Sequence, residues 1–120
     1  VATSLNSLGS LYQAQGDYAK AELLLKRSLS IYEKTLGPDH PNVATNLNNL
    51  ATLYHDQGDY AKAEPLYKRS LSIYEKTLGP DHPNVATVLE HLAALYRATN
   101  RAGEAEELER RAAAIRAKKR

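Results

Sequence analysis

Two histidines, each placed between an aspartate and a proline, are the residues whose types and spacing first suggest chemistry in this sequence. The segment GPDHPNVAT occupies residues 37–45 and returns unchanged at residues 79–87. An imidazole beside a carboxylate can shuttle a proton or bind a metal ion. However, neither His40 nor His82 has a second histidine at helical spacing, and the chain of 120 residues has no cysteine. We therefore expect no bound metal and no other cofactor, and we favour a structural role for the loop.

Four serines are the next candidates for chemistry, as nucleophiles. Ser28, Ser30, Ser70 and Ser72 lie among lysines and arginines, and none has a histidine three or four residues away. A serine nucleophile needs a base within hydrogen-bond reach, oriented by a third group. The sequence also lacks a glycine-rich loop of the kind that binds phosphates. We therefore predict that the protein is not an enzyme.

The histidine loop is better explained by the elements that it joins. Gly37 followed by Pro38 is typical of the end of a helix, because glycine adopts the left-handed conformation there and proline does not continue the helix. Pro41 is tolerated in the first turn of the next helix, with Asp39 or His40 as the N-cap residue. The loop is thus predicted to be a helix end, a tight turn and a helix start.

A repeat of 42 residues organises the chain. Residues 1–42 and 43–84 align without a gap and differ at eight positions, whereas residues 85–120 begin in the same way and then diverge. We expect one domain, residues 1–120, that consists of these three repeats, the last including a C-terminal cap. A repeat of this length that cannot bury its own apolar surface is typical of a solenoid.

Each repeat contains two helical patterns. In the second repeat, apolar residues recur at spacings of three and four from about Asn42 to Gln57 and again from about Tyr60 to Leu78. Between them, Gly58 suits the end of the first helix, and Asp59 suits the side-chain cap of the second. Two helices joined this tightly run antiparallel. The predicted fold class is all-α, with three antiparallel helix pairs.

These motifs resemble the tetratricopeptide repeat. The resemblance rests on LNNLATLY at residues 47–54, followed by GDYAKA at 58–63. The usual unit has 34 residues, and the longer unit here, with AEPLYKRSL at 63–71 and LGPDHPNVA at 78–86, is similar to the repeats of kinesin light chain and of bacterial tandem tetratricopeptide proteins. The resemblance implies a right-handed superhelical solenoid whose first helices line a concave groove. It also implies a non-enzymatic scaffold that binds a protein or an extended peptide.

The groove residues that this resemblance implies lie at unit positions 3, 6, 7, 10 and 13. Asparagine is useful there, since its amide both donates to and accepts from a peptide backbone. Asn48 and Asn49 match the paired asparagines of the family and Asn6 matches the first of a pair, whereas Ser7 departs from the second. Arg97 adds the potential to recognise an acidic group, as does His91. The predicted site comprises Asn6, Gln13, Asn48, Asn49, Thr52, His55, Glu90, His91 and Arg97.

A different role stays open at this point. The same polar residues could merely solvate the helices, and the chain would then be a structural spacer or a sensor arm of a larger signalling protein. The near-identity of the first two repeats favours a spacer. Three of the eight positions at which they differ (7, 10 and 13) belong to the predicted groove, which favours binding.

The two ends of the repeat array differ in polarity: the last repeat is polar, whereas the first is not. In the third repeat, Glu109 replaces Leu25 and Tyr67 of the earlier repeats, and a second apolar position becomes Arg116. Such polar replacements are typical of a capping repeat. The first helix has no such cap, so we expect weak end-to-end self-association there.

The basic C-terminal tail and the hydropathy of the chain bear on nucleic-acid binding, membrane contact and location. Residues 116–120 are mostly basic, which suits the negative pole of a helix C-terminus. Since no basic stripe accompanies the tyrosines elsewhere, we expect no nucleic-acid partner. No apolar run approaches the ~18–20 residues that span a membrane, so we expect no membrane contact. A chain without disulfides suits the cytoplasm, which is the predicted location.

Overall fold

The protein forms six α-helices and, over the described part of the chain, no strand. The computed structural model describes the backbone of residues 2–118 and the side chains of residues 5–118. The helices are α1 (Ala2–Ala14), α2 (Tyr18–Leu36), α3 (Pro41–Asp56), α4 (Tyr60–Leu78), α5 (Pro83–Ala98) and α6 (Ala102–Ala117). None of these six helices is both long enough and apolar enough to cross a bilayer.

The helices pack in pairs, and the pairs pack on one another. The most extensive contacts are those within the pairs α1–α2, α3–α4 and α5–α6, followed by α2–α3 and α4–α5. The first helices also contact their neighbours, α1 against α3 and α3 against α5. The stack measures 36 × 30 × 23 Å. The predicted all-α solenoid of three helix pairs is confirmed.

The turn inside each pair depends on a residue with positive φ. Gly16 and Gly58 both have φ of 81°, and Asn100, with φ of 64°, takes this place in the third repeat. The Asp17 carboxylate accepts a hydrogen bond from the backbone N–H of Lys20 at 3.5 Å. The prediction that Asp59 caps α4 in the same way is wrong: its side chain makes no capping hydrogen bond.

The turn between pairs shows what the repeated histidine does. In each loop the histidine Nδ1 atom accepts a hydrogen bond of 3.0 Å from the backbone N–H of the residue two positions later. Asn42 donates to His40 in the first loop, and Asn84 donates to His82 in the second. The histidine, rather than the preceding aspartate, is therefore the N-cap residue. Gly37, with φ of 94°, ends α2 as predicted. The imidazole thus satisfies a backbone N–H at the start of the following helix.

Small residues and leucines fill the core between the helices, and a few polar groups are buried with them. Asn46 donates through Nδ2 to the Ser28 hydroxyl at 3.0 Å, which joins α3 to the preceding pair. The Ser70 hydroxyl donates to the backbone carbonyl of Ala44 at 2.8 Å. Pro65 lies within α4 on its exposed side, and the helix continues past it.

Candidate functional site

The predicted groove residues lie on α1, α3 and α5, the three first helices, which stand side by side. The surface that they form is here called the first-helix face. Thr3 belongs to it by sequence, but its side chain lies outside the described residues, as do Lys119 and Arg120 of the basic tail. Ser7 and Ser10 are exposed.

Hydrogen bonds of asparagine side chains link the first helices across this face. Asn49 donates through Nδ2 to Oδ1 of Asn6 at 3.1 Å, and Oδ1 of Asn48 lies 3.1 Å from Nδ1 of His91. Asn48, Asn49 and His91 are half-buried at the seams between α1, α3 and α5. Since a primary amide has two donor hydrogens and two acceptor lone pairs, one bond does not exhaust it. The face therefore carries a row of oriented amide groups.

An aromatic cluster supports the middle of the row. The Thr52 hydroxyl lies 3.1 Å from the hydroxyl of Tyr67, which comes from α4. The Tyr67 ring leans against the His91 ring, with centroids 5.9 Å apart. Burial lowers the pKa of His91, and the neighbouring Glu90 opposes that effect. Burial thus favours the neutral form of the His91 ring.

His55 contacts a different tyrosine. Its ring meets the edge of Tyr60 at a centroid distance of 5.3 Å, within its own helix pair. Among the described residues, no group of three potential ligands is placed to hold a metal ion.

The charged and longer polar residues of the face are paired with partners from other helices. Gln13 donates to Asp56 at 3.0 Å. Arg97 makes two hydrogen bonds to Glu109, of 2.7 and 2.6 Å. A hydrogen bond from Arg97 lowers the pKa of the Glu109 carboxyl. The expected acid-recognising arginine is thus already occupied by a carboxylate of its own chain.

A second pair of the same kind closes the C-terminal end. Arg116 makes two hydrogen bonds of 2.8 Å to Glu90 and one of 3.2 Å to the Thr87 hydroxyl. The hydrogen bond from Arg116 lowers the pKa of Glu90. The pairs border an open cleft of about 430 Å³, which is lined by Glu90, Glu109, Ala113, Arg116 and Ala117.

Sequence reasoning missed Asp56, Glu109 and Arg116 as members of the site. A signal for the last two was present in the sequence, since Glu109 and Arg116 replace the residues of unit positions 25 and 32. In the second helix pair, position 32 faces position 3 and position 25 faces position 10. Tyr74 is hydrogen-bonded to Thr45 in this way, and Tyr67 to Thr52. In the third repeat, Glu109 and Arg116 stand in place of these two tyrosines. They bring charges to the first-helix face and also make the last helix more polar.

Comparison with known proteins places this geometry in a family. The family model for the tetratricopeptide repeat matches residues 1–76 and 47–118. The solved structure of BtubC (BKLC) from P. vanneervenii is 27% identical, with a TM-score of 0.91, over 98% of this chain and 46% of that one. No match was found among curated proteins.

Two further solved structures are similar. A candidate kinesin light chain from Podosopora anserina with nearly identical TPR-like repeats is 32% identical, with a TM-score of 0.87, over 98% of this chain and 56% of that one. The N-terminal domain of stress-induced protein-1 (STI-1) from C. elegans is 18% identical, with a TM-score of 0.74, over 95% of this chain and 83% of that one, and shows the fold alone. The chain spans about half the length of the first two structures. Proteins with such repeats generally mediate protein–protein interactions, and this chain belongs to the tetratricopeptide repeat family.

Proposed function

We propose that the first-helix face binds an extended segment of a protein partner and catalyses no reaction. The observation that carries the proposal is the row of amides, in which Asn6 pairs with Asn49 and Asn48 pairs with His91 across neighbouring helices. Each pairing fixes the direction of an amide that can still donate or accept. A peptide backbone offers the complementary groups at every residue, whatever its sequence.

The length of the bound segment follows from the spacing of the helices. Packed helices lie about 8–10 Å apart, so the three first helices span about 16–20 Å from axis to axis. An extended chain advances about 3.3 Å per residue. A segment of about five or six residues would therefore cross the face and meet all three helices.

The charges of the face favour a partner without a strong net charge. Arg97 is held by Glu109 and Arg116 by Glu90, so the C-terminal end presents two neutralised pairs. An acidic side chain of the partner would have to displace one of these carboxylates. We therefore expect neutral polar segments to bind more tightly than strongly acidic ones.

The relatives support a binding role in general terms. The family mediates protein–protein interactions, and the similar structures include a candidate kinesin light chain. The identity of a partner for this chain does not follow from them.

A second candidate function is a structural spacer or a sensor arm. The observation in its favour is that the side chains of the first-helix face satisfy one another: the asparagines are paired across the seams, Gln13 with Asp56, and Arg97 with Glu109. Side chains that have partners within the chain do not need a ligand to hold them in place.

A display screen with matched variants separates the two functions. Random peptides of eight residues are selected on the whole chain, and their affinities are measured for Asn48→Ala, Asn49→Ala and Asn84→Ala. Asn84 is the control, because its side chain is exposed outside the face. Peptides that lose about tenfold or more in affinity on the first two changes and none on the third support the binding role. Peptides that bind all variants equally, or no peptides at all, support the spacer.

A further inference from the structure

We propose that His91 accepts a hydrogen bond through its Nε2 atom from a backbone N–H of the segment bound at the first-helix face, and that this contact is lost when the ring takes up a proton. Such a contact rests on the proposed function, since it requires a segment at this face. It gives His91 the role of an uncharged acceptor, in place of the recognition of an acidic group that the sequence suggested.

The contact between Asn48 and His91 determines which ring nitrogen carries the hydrogen. Oδ1 of Asn48 lies 3.1 Å from Nδ1 of His91. An amide oxygen only accepts hydrogen bonds, so Nδ1 is the donor and carries the hydrogen. In a neutral imidazole the other nitrogen then has a lone pair and no hydrogen. Nε2 is therefore an acceptor as long as the ring is uncharged.

The Nε2 atom is accessible to a ligand. His91 is half-buried, and within the described chain its one hydrogen bond is the contact of Nδ1 with Asn48. In the same part of the chain, the buried side-chain nitrogen and oxygen atoms without a partner comprise Oδ1 of Asn46 alone. Since Nε2 of His91 has no partner and does not belong to that class, it reaches the surface.

The surroundings of the ring favour the neutral form. Burial lowers the pKa of His91, and a charge on His55 of α3 acts in the same direction. Glu90 of α5 opposes both effects, but its carboxylate accepts two hydrogen bonds from Arg116 of α6. Tyr67 of α4, whose ring leans against His91, stays uncharged because burial raises the pKa of its hydroxyl. The lone pair on Nε2 is thus the form that the packed helices support.

An acceptor at this place selects one group of a peptide backbone. The amides of Asn48 and Asn49 offer both donors and acceptors, so each can meet either an N–H or a C=O group. Neutral His91 offers only the lone pair of Nε2, which pairs with N–H and not with C=O. It therefore fixes which backbone group of the segment lies at α5. A proton on Nε2 would place two donors opposite each other.

The affinity for peptides of constant charge, measured against pH, tests the proposal. Peptides of eight residues are selected on the whole chain at about pH 7.5 from a library without aspartate, glutamate or histidine, and are synthesised with blocked ends. Their dissociation constants are measured between about pH 8 and pH 5, while circular dichroism verifies that the chain stays folded. The constant should be level above about pH 6.5 and rise by about threefold or more towards pH 5, because only the neutral ring accepts.

Three variants assign the pH dependence to a residue. His91→Gln should bind without the pH dependence, since glutamine has an acceptor oxygen and does not titrate. His91→Phe should weaken binding about three- to tenfold at pH 7.5, because its ring has no acceptor. His55→Gln is the matched control, as it removes the other histidine of the first-helix face. It should keep the ratio of the affinities at the two ends of the pH range.

Two further measurements address the atoms themselves. Nitrogen NMR spectra of the free protein should show the hydrogen of the neutral His91 ring on Nδ1 and the lone pair on Nε2. In the selected peptides, each backbone N–H is then methylated in turn. One methylation should weaken binding to the unmodified chain about three- to tenfold more than it weakens binding to His91→Phe, because both changes remove the same contact.

The outcomes separate this contact from the proposed function. If no peptide is selected, or if the peptides are indifferent to Asn48→Ala and Asn49→Ala, both are overturned. Peptides that require the two asparagines but bind equally well at every pH overturn the role of His91 alone. The same holds for a pH dependence that His55→Gln abolishes, for a hydrogen on Nε2 in the free protein, and for peptides in which no methylation is coupled to His91→Phe.

Discussion

Oδ1 of Asn48 lies 3.1 Å from Nδ1 of His91, although the two residues are 43 positions apart on different helices. The pair Asn6 and Asn49 has the same separation of 43. With a repeat of 42 residues, unit position 6 of one first helix therefore meets unit position 7 of the next. This offset of one residue is the register of the solenoid along the first-helix face, and it makes each amide contact depend on two consecutive repeats.

The acid stability of the protein should depend on His91. Burial lowers its pKa below the ordinary value of 6.5, so the folded state favours the neutral ring while the unfolded chain takes up a proton first. The stability contributed by the neutral ring is present above about pH 6.5 and is lost as the pH falls through the lower pKa of the folded state. We expect the free energy of unfolding, from urea titrations, to decline between pH 7 and pH 5.

His91→Gln provides the control for this effect. Glutamine keeps a hydrogen-bonding group towards Asn48 and does not titrate. The carboxyls with lowered pKa values, such as Glu22 and Glu90, lose their contribution only at more acidic pH. The decline between pH 7 and pH 5 should therefore be smaller in the variant, and an unchanged pH profile would contradict the assignment to His91.

Leucines at one unit position should differ in their contribution to stability according to what covers them. Leu50 is 3% exposed, and Leu50→Ala should lower the free energy of unfolding by about 2–5 kcal/mol. Leu8 occupies the same position of the first repeat but is 41% exposed. Leu8→Ala should lower it by less than about 1 kcal/mol. Equal losses in chemical denaturation would mean that Leu8 is covered in solution.

Much of the local structure follows from the sequence because it is set by residues close together in the chain. Gly16 and Gly58 supply the positive φ that the turn within a pair needs. Helices α3 and α4 begin and end within one residue of the bounds predicted for the second repeat. Even here, the choice between neighbouring caps was not predictable: His40 caps α3 rather than Asp39, because its Nδ1 reaches the backbone N–H of Asn42.

The contacts of the candidate site could be predicted only in part, because they join residues far apart in sequence. Which amide meets which depends on the offset between neighbouring first helices, and a shift of one residue would separate Asn48 from His91. The pairing of Arg97 with Glu109 depends in the same way on how α5 packs on α6. Sequence periodicity identifies the faces of the helices but does not give this register.

Pro65 should be replaceable by leucine with no loss of stability. It lies inside α4, where proline removes a backbone hydrogen bond and crowds the preceding turn, an effect of about 3 kcal/mol in a regular helix. Proline also restricts the unfolded chain, which offsets about 0.4–1 kcal/mol of this. Pro65→Leu should therefore be neutral or stabilising in thermal unfolding. The reverse change in the first repeat, Leu23→Pro, should be destabilising, and a stabilising effect there would contradict this account.

The buried amide of Asn46 should be replaceable as well, for a different reason. Asn46 is 1% exposed; its Nδ2 donates to the Ser28 hydroxyl, but its Oδ1 has no hydrogen-bond partner among the described residues. Leaving a buried acceptor unpaired destabilises a protein by about 1–3 kcal/mol. The third repeat has Val88 at this position, fully buried.

Asn46→Val should therefore leave the free energy of unfolding unchanged or raise it by about 1–2 kcal/mol. In the next repeat, where Val88 stands at the unit position of Asn46, the equivalent Ser70 donates to the backbone carbonyl of Ala44. Asn46→Ala is the control, because it removes the same amide but leaves a cavity, and it should be less stable than Asn46→Val. If Asn46→Val instead lowered the free energy of unfolding by more than about 2 kcal/mol, the hydrogen bond to Ser28 would outweigh the unpaired oxygen. The polar contact would then stabilise the seam between the first two repeats.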